Sequence, residues 1–169
     1  TLAIHQGRTI RSRSAASILD EAASFTRNPR FKGSISDVGG PTANMWGGFC
    51  SDDPARCLRT SCLFPGVCPH FVVDQMKLVD LLHEVRAVKG VKHVRVASGI
   101  RYDLALKDVR YIRALVRDFV GGQLKIAPEH SREGPLSKMM KPGMGAYYKF
   151  KELFDKYSRE AGKEQYLIP

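Results

Sequence analysis

The chain has 169 residues, of which 43% are hydrophobic and 26% are charged, so it can bury a core and does not resemble a disordered segment. Its formal net charge of +10 favours anionic partners, such as a carboxylate-bearing cofactor, phosphates or nucleic acid. Because the sequence shows neither a secretory signal nor an apolar run of membrane-spanning length, we expect a cytoplasmic protein without a membrane partner.

Helical patterns and short apolar runs alternate along the chain. Ser14 is predicted to cap a helix that continues through Phe25, and the run at residues 33–38 is the first predicted strand. Further helix-then-strand pairs are predicted at residues 78–88 and 91–97, 111–119 and 123–127, and 147–157 and 164–168. Four such units without a hairpin signal between their strands predict an α/β fold with a parallel sheet. The aromatic stripe of the last helix is expected to belong to the core.

All four cysteines lie in an irregular insertion at residues 43–73. Cys50, Cys57, Cys62 and Cys68 are spaced C-x6-C-x4-C-x5-C, which supplies four soft ligands for zinc or an iron–sulfur cluster. The spacing matches neither the standard C-x2-C zinc pattern nor that of ferredoxins. Two alternatives remain open, because the cysteines can form paired disulfides or stay as inert buried thiols.

Polar and glycine-rich segments follow the first three predicted strands. They occupy residues 37–44, 98–103 and 128–134 and carry Gly, Arg, Asp, Glu and His. In parallel α/β folds ligands bind at the carboxyl ends of strands, so these segments are predicted to line one rim. The pair Gly39 and Gly40 suits close approach of the backbone to a ligand, and a tight turn is the alternative.

Several of these segments resemble the radical S-adenosylmethionine superfamily and, within it, the YgiQ-type proteins. The similar words run along the whole chain: residues 5–8 (HQGR), 11–14 (RSRS), 36–44 (SDVGGPTAN), 62–70 (CLFPGVCPH), 97–103 (ASGIRYD), 125–130 (KIAPEH), 134–144 (GPLSKMMKPGM) and 162–169 (GKEQYLIP).

This resemblance implies a partial TIM-type (β/α)6 barrel and an enzyme that uses a [4Fe-4S] cluster to cleave S-adenosylmethionine. The product, a 5′-deoxyadenosyl radical, would abstract hydrogen from a substrate that the sequence does not identify. The family's three cluster cysteines have no counterpart in residues 1–169, so we expect them upstream of residue 1. Residues 1–169 are therefore interpreted as a single, central fragment of the catalytic barrel, inactive alone.

The resemblance also implies roles for the residues after the first predicted strand. Gly39 and Gly40 occupy the place of a Gly-Gly-Glu motif that receives the methionine amino group. Pro41 and Thr42 stand where the glutamate is expected, which leaves backbone carbonyls as the expected acceptors. We assign all four to cofactor binding.

Further cofactor-binding candidates follow the later strands. Ser98 and Arg101 come after the second predicted strand, where the Arg101 guanidinium suits a carboxylate, and a salt bridge with Asp103 is the alternative. Lys125 and Glu129 are candidates for ribose or substrate hydrogen bonds, or for an internal ion pair. Under the resemblance, the first hypothesis for the four cysteines is an accessory iron–sulfur site, and the second is a structural zinc site.

Two other functions remain open. The basic residues Arg8, Arg11 and Arg13 allow an RNA-binding module of a nucleic-acid-modifying protein, although the dispersed charge does not favour it. The other is a non-catalytic, zinc-stabilised α/β domain. Formation of 5′-deoxyadenosine by the full-length protein distinguishes the enzyme from both.

Overall fold

Helices and strands alternate in the structure, a computed structural model that describes residues 11–38 and 42–169. The helices are α1 (Ala15–Thr26), α2 (Gln75–Ala87), α3 (Tyr102–Ala105), α4 (Val109–Ala114), α5 (Glu133–Lys138) and α6 (Met144–Glu160). The strands are β1 (Ser34–Ser36), β2 (Phe49–Cys50), β3 (Phe71–Val72), β4 (His93–Arg95), β5 (Gln123–Lys125) and β6 (Tyr166–Ile168).

Side-chain caps define where the first two long helices begin. The Ser14 hydroxyl accepts a hydrogen bond from the Ser17 amide at 3.2 Å, as predicted. The Asp74 carboxylate does the same for the amide of Met76 at 3.0 Å. Such caps satisfy amide groups that the helix itself leaves unpaired, which makes these helix starts readable from the sequence.

The α/β class is confirmed by two parallel strand pairs. β1 pairs with β4 and β5 pairs with β6, each over three residues. The amide of Lys125 donates to the carbonyl of Ala97 at 2.6 Å, so the carboxyl ends of β4 and β5 lie side by side. Within each pair, a connection that contains a helix joins the two strands, as parallel strands require.

The structure differs from the predicted elements in three respects. Each of the four predicted strands pairs with another strand over only three residues. The remaining predicted residues belong to the adjoining loops. The helix predicted over residues 111–119 changes at Leu115 into a π-helical turn that ends at Phe119. The antiparallel pair β2–β3 and the short helices α3 and α5 were not predicted, since two to six residues carry no readable periodicity.

The core lies between the strands and α2, α4 and α6. On α6, Phe150 and Phe154 are fully buried and Tyr147 is 9% exposed, which confirms that this aromatic stripe is core. Burial of each phenylalanine contributes about 1.5–3 kcal/mol to the free energy of unfolding. Among residues 11–38 and 42–169, no helix has both the length and the apolar character needed to cross a bilayer.

Candidate functional site

A cavity of about 220 Å³ opens at the carboxyl ends of β4 and β5. Its lining comes from the segments that follow the strands, and from the loop between α5 and α6. The lining residues are Thr42, Ser98, Gly99, Ile100, Arg101, Tyr102, Lys125, Ile126, Ala127, Lys141 and Pro142. Four of the predicted cofactor residues, Thr42, Ser98, Arg101 and Lys125, meet in this cavity, whereas no residue of the predicted segment 128–134 lines it.

Asp37 braces the rim from the end of β1. One oxygen of its carboxylate accepts hydrogen bonds from the amides of Ala97 at 2.7 Å and Ser98 at 3.0 Å. Its own amide donates to the carbonyl of Arg95 at 2.8 Å. Asp37 has φ = 57°, a left-handed conformation that aspartate tolerates better than most residues. The turn after β1 is thereby tied to the segment that carries Ser98.

Asn44 provides a second brace, and it is only 1% exposed. Its side-chain oxygen accepts from the amide of Arg101 at 2.8 Å, and its nitrogen donates to the Arg101 carbonyl at 2.9 Å. The same nitrogen donates to the side-chain oxygen of Gln75 at 3.1 Å, and Gln75 donates to the carbonyl of Leu104 at 2.8 Å. These buried bonds fix the backbone of Arg101 before any ligand binds.

The Arg101 guanidinium pairs with Asp103 through two hydrogen bonds. Arg101 Nε lies 2.9 Å from Oδ1 of Asp103, and Nη2 lies 2.6 Å from Oδ2. Both side chains are largely buried, at 17% and 12% exposure. The salt bridge foreseen as an alternative is therefore present, although it is not a surface pair. Within the described ranges Nη1 makes no hydrogen bond, so Arg101 keeps donor capacity beyond its pair with Asp103.

Lys125 and Glu129 do not pair with each other. Glu129 instead accepts from Lys141 Nζ at 3.1 Å, and Lys141 also lies 3.4 Å from the carbonyl of Ala127. Glu129 has φ = 68°, which turns the chain sharply at the mouth of the cavity. Among the residues that the structure describes, Lys125 forms no ion pair, so it leaves one uncompensated positive charge in the lining.

Three of the predicted cofactor residues, Gly39, Gly40 and Pro41, lie outside the described residues. Thr42 follows them directly and contributes to the cavity lining. The backbone after Thr42 is anchored, because the amide of Ala43 donates to the carbonyl of Gly99 at 2.6 Å. The cofactor role of all four residues stays a prediction.

The cysteine loop, residues 50–68, is held by local contacts. The Arg59 guanidinium donates to the carbonyls of Ser61 and Phe64, each at 3.2 Å, and of Gly66 at 2.9 Å. The amide of Cys68 donates to the carbonyl of Cys62 at 2.7 Å. All four cysteines are free thiols in the structure.

The cysteines differ in their surroundings: Cys57 is exposed, Cys50 and Cys62 are half-buried, and Cys68 is buried. Partial burial is the main cause that raises the pKa of the Cys62 thiol. The neighbouring Cys68, Cys50 and Cys57 raise it further. The other three thiols are therefore neighbours of Cys62. In the described ranges, no three Cys, His, Asp or Glu side chains are arranged to hold a metal ion. A metal role thus requires the loop to rearrange, and it stays a prediction.

Binding of S-adenosylmethionine stays a prediction at this point. The cavity lining offers the cations Lys125 and Arg101, the hydroxyl groups of Thr42 and Ser98, and the apolar side chain of Ile126. Its volume is below the roughly 300–1,000 Å³ of cavities that enclose whole ligands. The described residues supply no ligand set for a cluster.

Asp37, Asn44 and Tyr102 fall within the segments predicted to line the rim, but the sequence assigned no individual role to them. Lys141 joins the cavity from a loop sixteen residues beyond β5, within the similar word at residues 134–144. Nothing in the local pattern marks Asn44 as buried. Long-range hydrogen bonds decide the positions of Asp37 and Asn44, and they leave no periodic signal.

Of the predicted basic cluster, Arg11 and Arg13 lie within the described residues and Arg8 does not. Arg11 is exposed. Arg13 pairs with Glu21 and donates to the Ser17 hydroxyl at 2.8 Å. RNA binding stays a prediction.

Comparison with known proteins gives close relatives along nearly the whole chain. It is 56% identical over 168 residues to a UPF0313 protein of Shewanella oneidensis, and 55% and 54% identical to the UPF0313 proteins YgiQ of Salmonella typhimurium and Escherichia coli. Each match covers 98% of this chain but only 21–23% of the relative. No protein-family model and no solved structure matches. Over the length compared, the chain is similar to the UPF0313 proteins, and its resemblance to the YgiQ-type proteins is confirmed.

Proposed function

We propose that this segment forms part of the cofactor-binding wall of a radical S-adenosylmethionine enzyme built on a (β/α)6 barrel. The observation that carries the proposal is the cavity at the carboxyl ends of two adjacent parallel strands, where Thr42, Ser98, Arg101 and Lys125 meet. The resemblance to the YgiQ-type proteins supports it, and the substrate remains unassigned.

In this proposal, the residues of this chain bind the cofactor and orient it. Lys125 and the Nη1 edge of Arg101 hold the carboxylate of S-adenosylmethionine, because both carry a positive charge into the lining. Asp103 keeps the Arg101 guanidinium in one orientation through its two hydrogen bonds. Asn44 and Asp37 hold the backbone in place. Binding therefore does not have to order this backbone, which would reduce the affinity for the ligand.

The chemistry that a [4Fe-4S] cluster supplies when bound is one-electron cleavage of the cofactor to methionine and a 5′-deoxyadenosyl radical for hydrogen abstraction. Within this segment, the apolar wall around Ile100 and Ile126 excludes water from the reacting end of the ligand. The cysteine loop is proposed as an accessory iron–sulfur or zinc site, supported by the number and nearness of its thiols.

The test uses full-length protein reconstituted without oxygen, with reductant and S-adenosylmethionine. We expect 5′-deoxyadenosine, and we expect three closely spaced cysteines ahead of residue 1. Absence of either from properly folded protein overturns the proposal. Iron, sulfide and zinc analysis of the same sample, compared with Cys-to-Ser variants of the cysteine loop, tests the accessory site.

Two arginine variants provide a matched pair for the cavity. Arg101→Lys and Arg110→Lys each break a bidentate bond to an aspartate two residues away, and in both pairs Nε lies 2.9 Å from Oδ1. Only Arg101 lines the cavity, whereas Arg110 is exposed. We expect about tenfold weaker cofactor binding for Arg101→Lys, typical of one lost charge-assisted bond, and no change for Arg110→Lys. Equal affinities of the two variants for the cofactor would show that Arg101 does not contribute to binding.

A further inference from the structure

Two of the four cysteines, Cys62 and Cys68, are held close together by the backbone. The amide of Cys68 donates to the carbonyl of Cys62 at 2.7 Å. Because an amide nitrogen lies about 1.5 Å from its own Cα and a carbonyl oxygen about 2.4 Å from its own, the two Cα atoms are at most about 6.6 Å apart. Disulfides join Cα atoms about 4.4–6.8 Å apart, so the backbone of this pair already lies within reach of a bridge.

The segment between the two cysteines is fixed in this folded-back form. The Arg59 guanidinium donates to the carbonyl of Phe64 at 3.2 Å and to that of Gly66 at 2.9 Å, and both acceptors lie between Cys62 and Cys68. Formation of a bridge therefore does not have to bring the two ends of the segment together, which is the step that loop-closure entropy opposes.

Both side chains contact the same apolar cluster. Cys68 is 6% exposed and lies in a buried cluster with Leu63, Phe71 and Leu104, and Cys62 packs against that cluster. Burial has the largest effect in raising the pKa of the Cys62 thiol, and among the other three cysteines Cys68 has the largest. Cys62 and Cys68 are therefore the pair of thiols that the fold places together.

We propose that Cys62 and Cys68 form a redox pair, which a peroxide oxidises to a disulfide that closes residues 62–68 into a covalent loop. The inference stands on the geometry of the pair and does not require the proposed accessory metal site. It has a consequence for that site, because a bridge and a metal ion would compete for the same two sulfur atoms.

The oxidation balances with hydrogen peroxide as the oxidant. Cys62 is half-buried and Cys68 is buried, so the Cys62 sulfur attacks one peroxide oxygen: an S–O bond forms, the O–O bond breaks and water leaves. The Cys68 sulfur then attacks the Cys62 sulfur, the S–S bond forms, the S–O bond breaks and a second water leaves. The two thiols lose two electrons and two protons, and the peroxide gains them as it becomes two waters.

The test oxidises the full-length protein with hydrogen peroxide after a chelator has removed any metal, and then blocks the remaining thiols with iodoacetamide. Trypsin cleaves after arginine and lysine, so Cys62 and Cys68 leave in one peptide, residues 60–77, and Cys57 leaves in another, residues 57–59. A bridge within the pair makes the peptide 60–77 two hydrogens lighter and protects both cysteines from iodoacetamide. A bridge from Cys57 to either of them joins the two peptides.

We expect the bridged peptide 60–77 to exceed every peptide joined through Cys50 or Cys57 by about tenfold, because the fixed backbone gives the two thiols a high effective concentration. Cys57→Ser is the matched control, since it removes a thiol of the same loop and should leave the bridge unchanged. Cys62→Ser should abolish the bridge, and dithiothreitol should reverse it in the wild type.

Two results would overturn the redox pair and leave the proposed function standing. One is an even distribution of bridges among the four cysteines, and the other is full reaction of Cys62 and Cys68 with iodoacetamide after the peroxide treatment. Zinc binding by the reduced and the bridged protein then tests the competition. Loss of zinc binding on oxidation supports it, whereas equal zinc binding by the two forms contradicts it and shows that the metal does not use this pair.

Discussion

The cavity rim and the cysteine loop are both short of regular structure, but their hydrogen bonds differ in range. The rim is held by bonds across the fold, such as Asn44 to Arg101 and Asp37 to Ala97. The cysteine loop is held mainly by bonds within the insertion at residues 43–73, from Arg59 to carbonyls two to seven residues away and from the Ser51 amide to the His70 carbonyl. Cys68 also packs in a buried cluster with Leu104, so the core anchors the rim and one end of the loop, whereas Cys57 is exposed on the remainder.

The largest expected effect is that of Asn44→Ala. It removes three hydrogen bonds and leaves buried polar groups of Gln75 and Arg101 without partners. We expect the free energy of unfolding to fall by about 2–4 kcal/mol, measured by urea denaturation of the chain. A loss no larger than that of Asn28→Ala, which removes one bond in an exposed turn, would contradict a preorganised rim.

A smaller effect is expected for Asp37→Ala. The change removes two amide bonds and places alanine at φ = 57°, so the unfolding free energy should fall by about 1–2 kcal/mol. Asp37→Asn keeps an acceptor oxygen and tolerates this conformation, so it should retain most of the stability. Equal losses in the two variants would show that the brace depends on charge and not on hydrogen-bond geometry.

The cysteine loop is expected to show graded thiol reactivity. The raised pKa of Cys62 means that a smaller fraction is thiolate at a given pH, so its alkylation rate should rise only at higher pH. At pH 8, iodoacetamide and peptide mass spectrometry should show Cys57 reacting about tenfold faster than Cys62 in metal-free protein. Protection of all four thiols after reconstitution, reversed by a chelator, would instead show that metal gathers them.

The smallest effect is expected for Arg59→Ala. Arg59 makes three hydrogen bonds, as Asn44 does, but it is exposed and its acceptors are local. Water replaces such bonds, so we expect a loss below about 1 kcal/mol in the same urea measurement. A loss as large as that of Asn44→Ala would mean that the two regions are equally well anchored.

Much of the architecture was readable from local patterns. The cap at Ser14, the buried face of α2 around Leu82, and the aromatic stripe of α6 follow from residue type and helical spacing. The order of helix and strand also placed Thr42, Ser98, Arg101 and Lys125 at strand ends, where they share one cavity. The predicted strands were longer than the observed ones, because apolar residues continue past the paired residues into the adjoining loops.

The sequence by itself determined the α/β class, the start of the first helix and the polar residues that follow the first three predicted strands, since these depend on neighbours in the chain. The tertiary structure alone decided that Asn44 clamps Arg101 and that Glu129 pairs with Lys141. Such contacts join residues from 12 to 57 positions apart. Their energies depend on burial and geometry that only the folded chain creates.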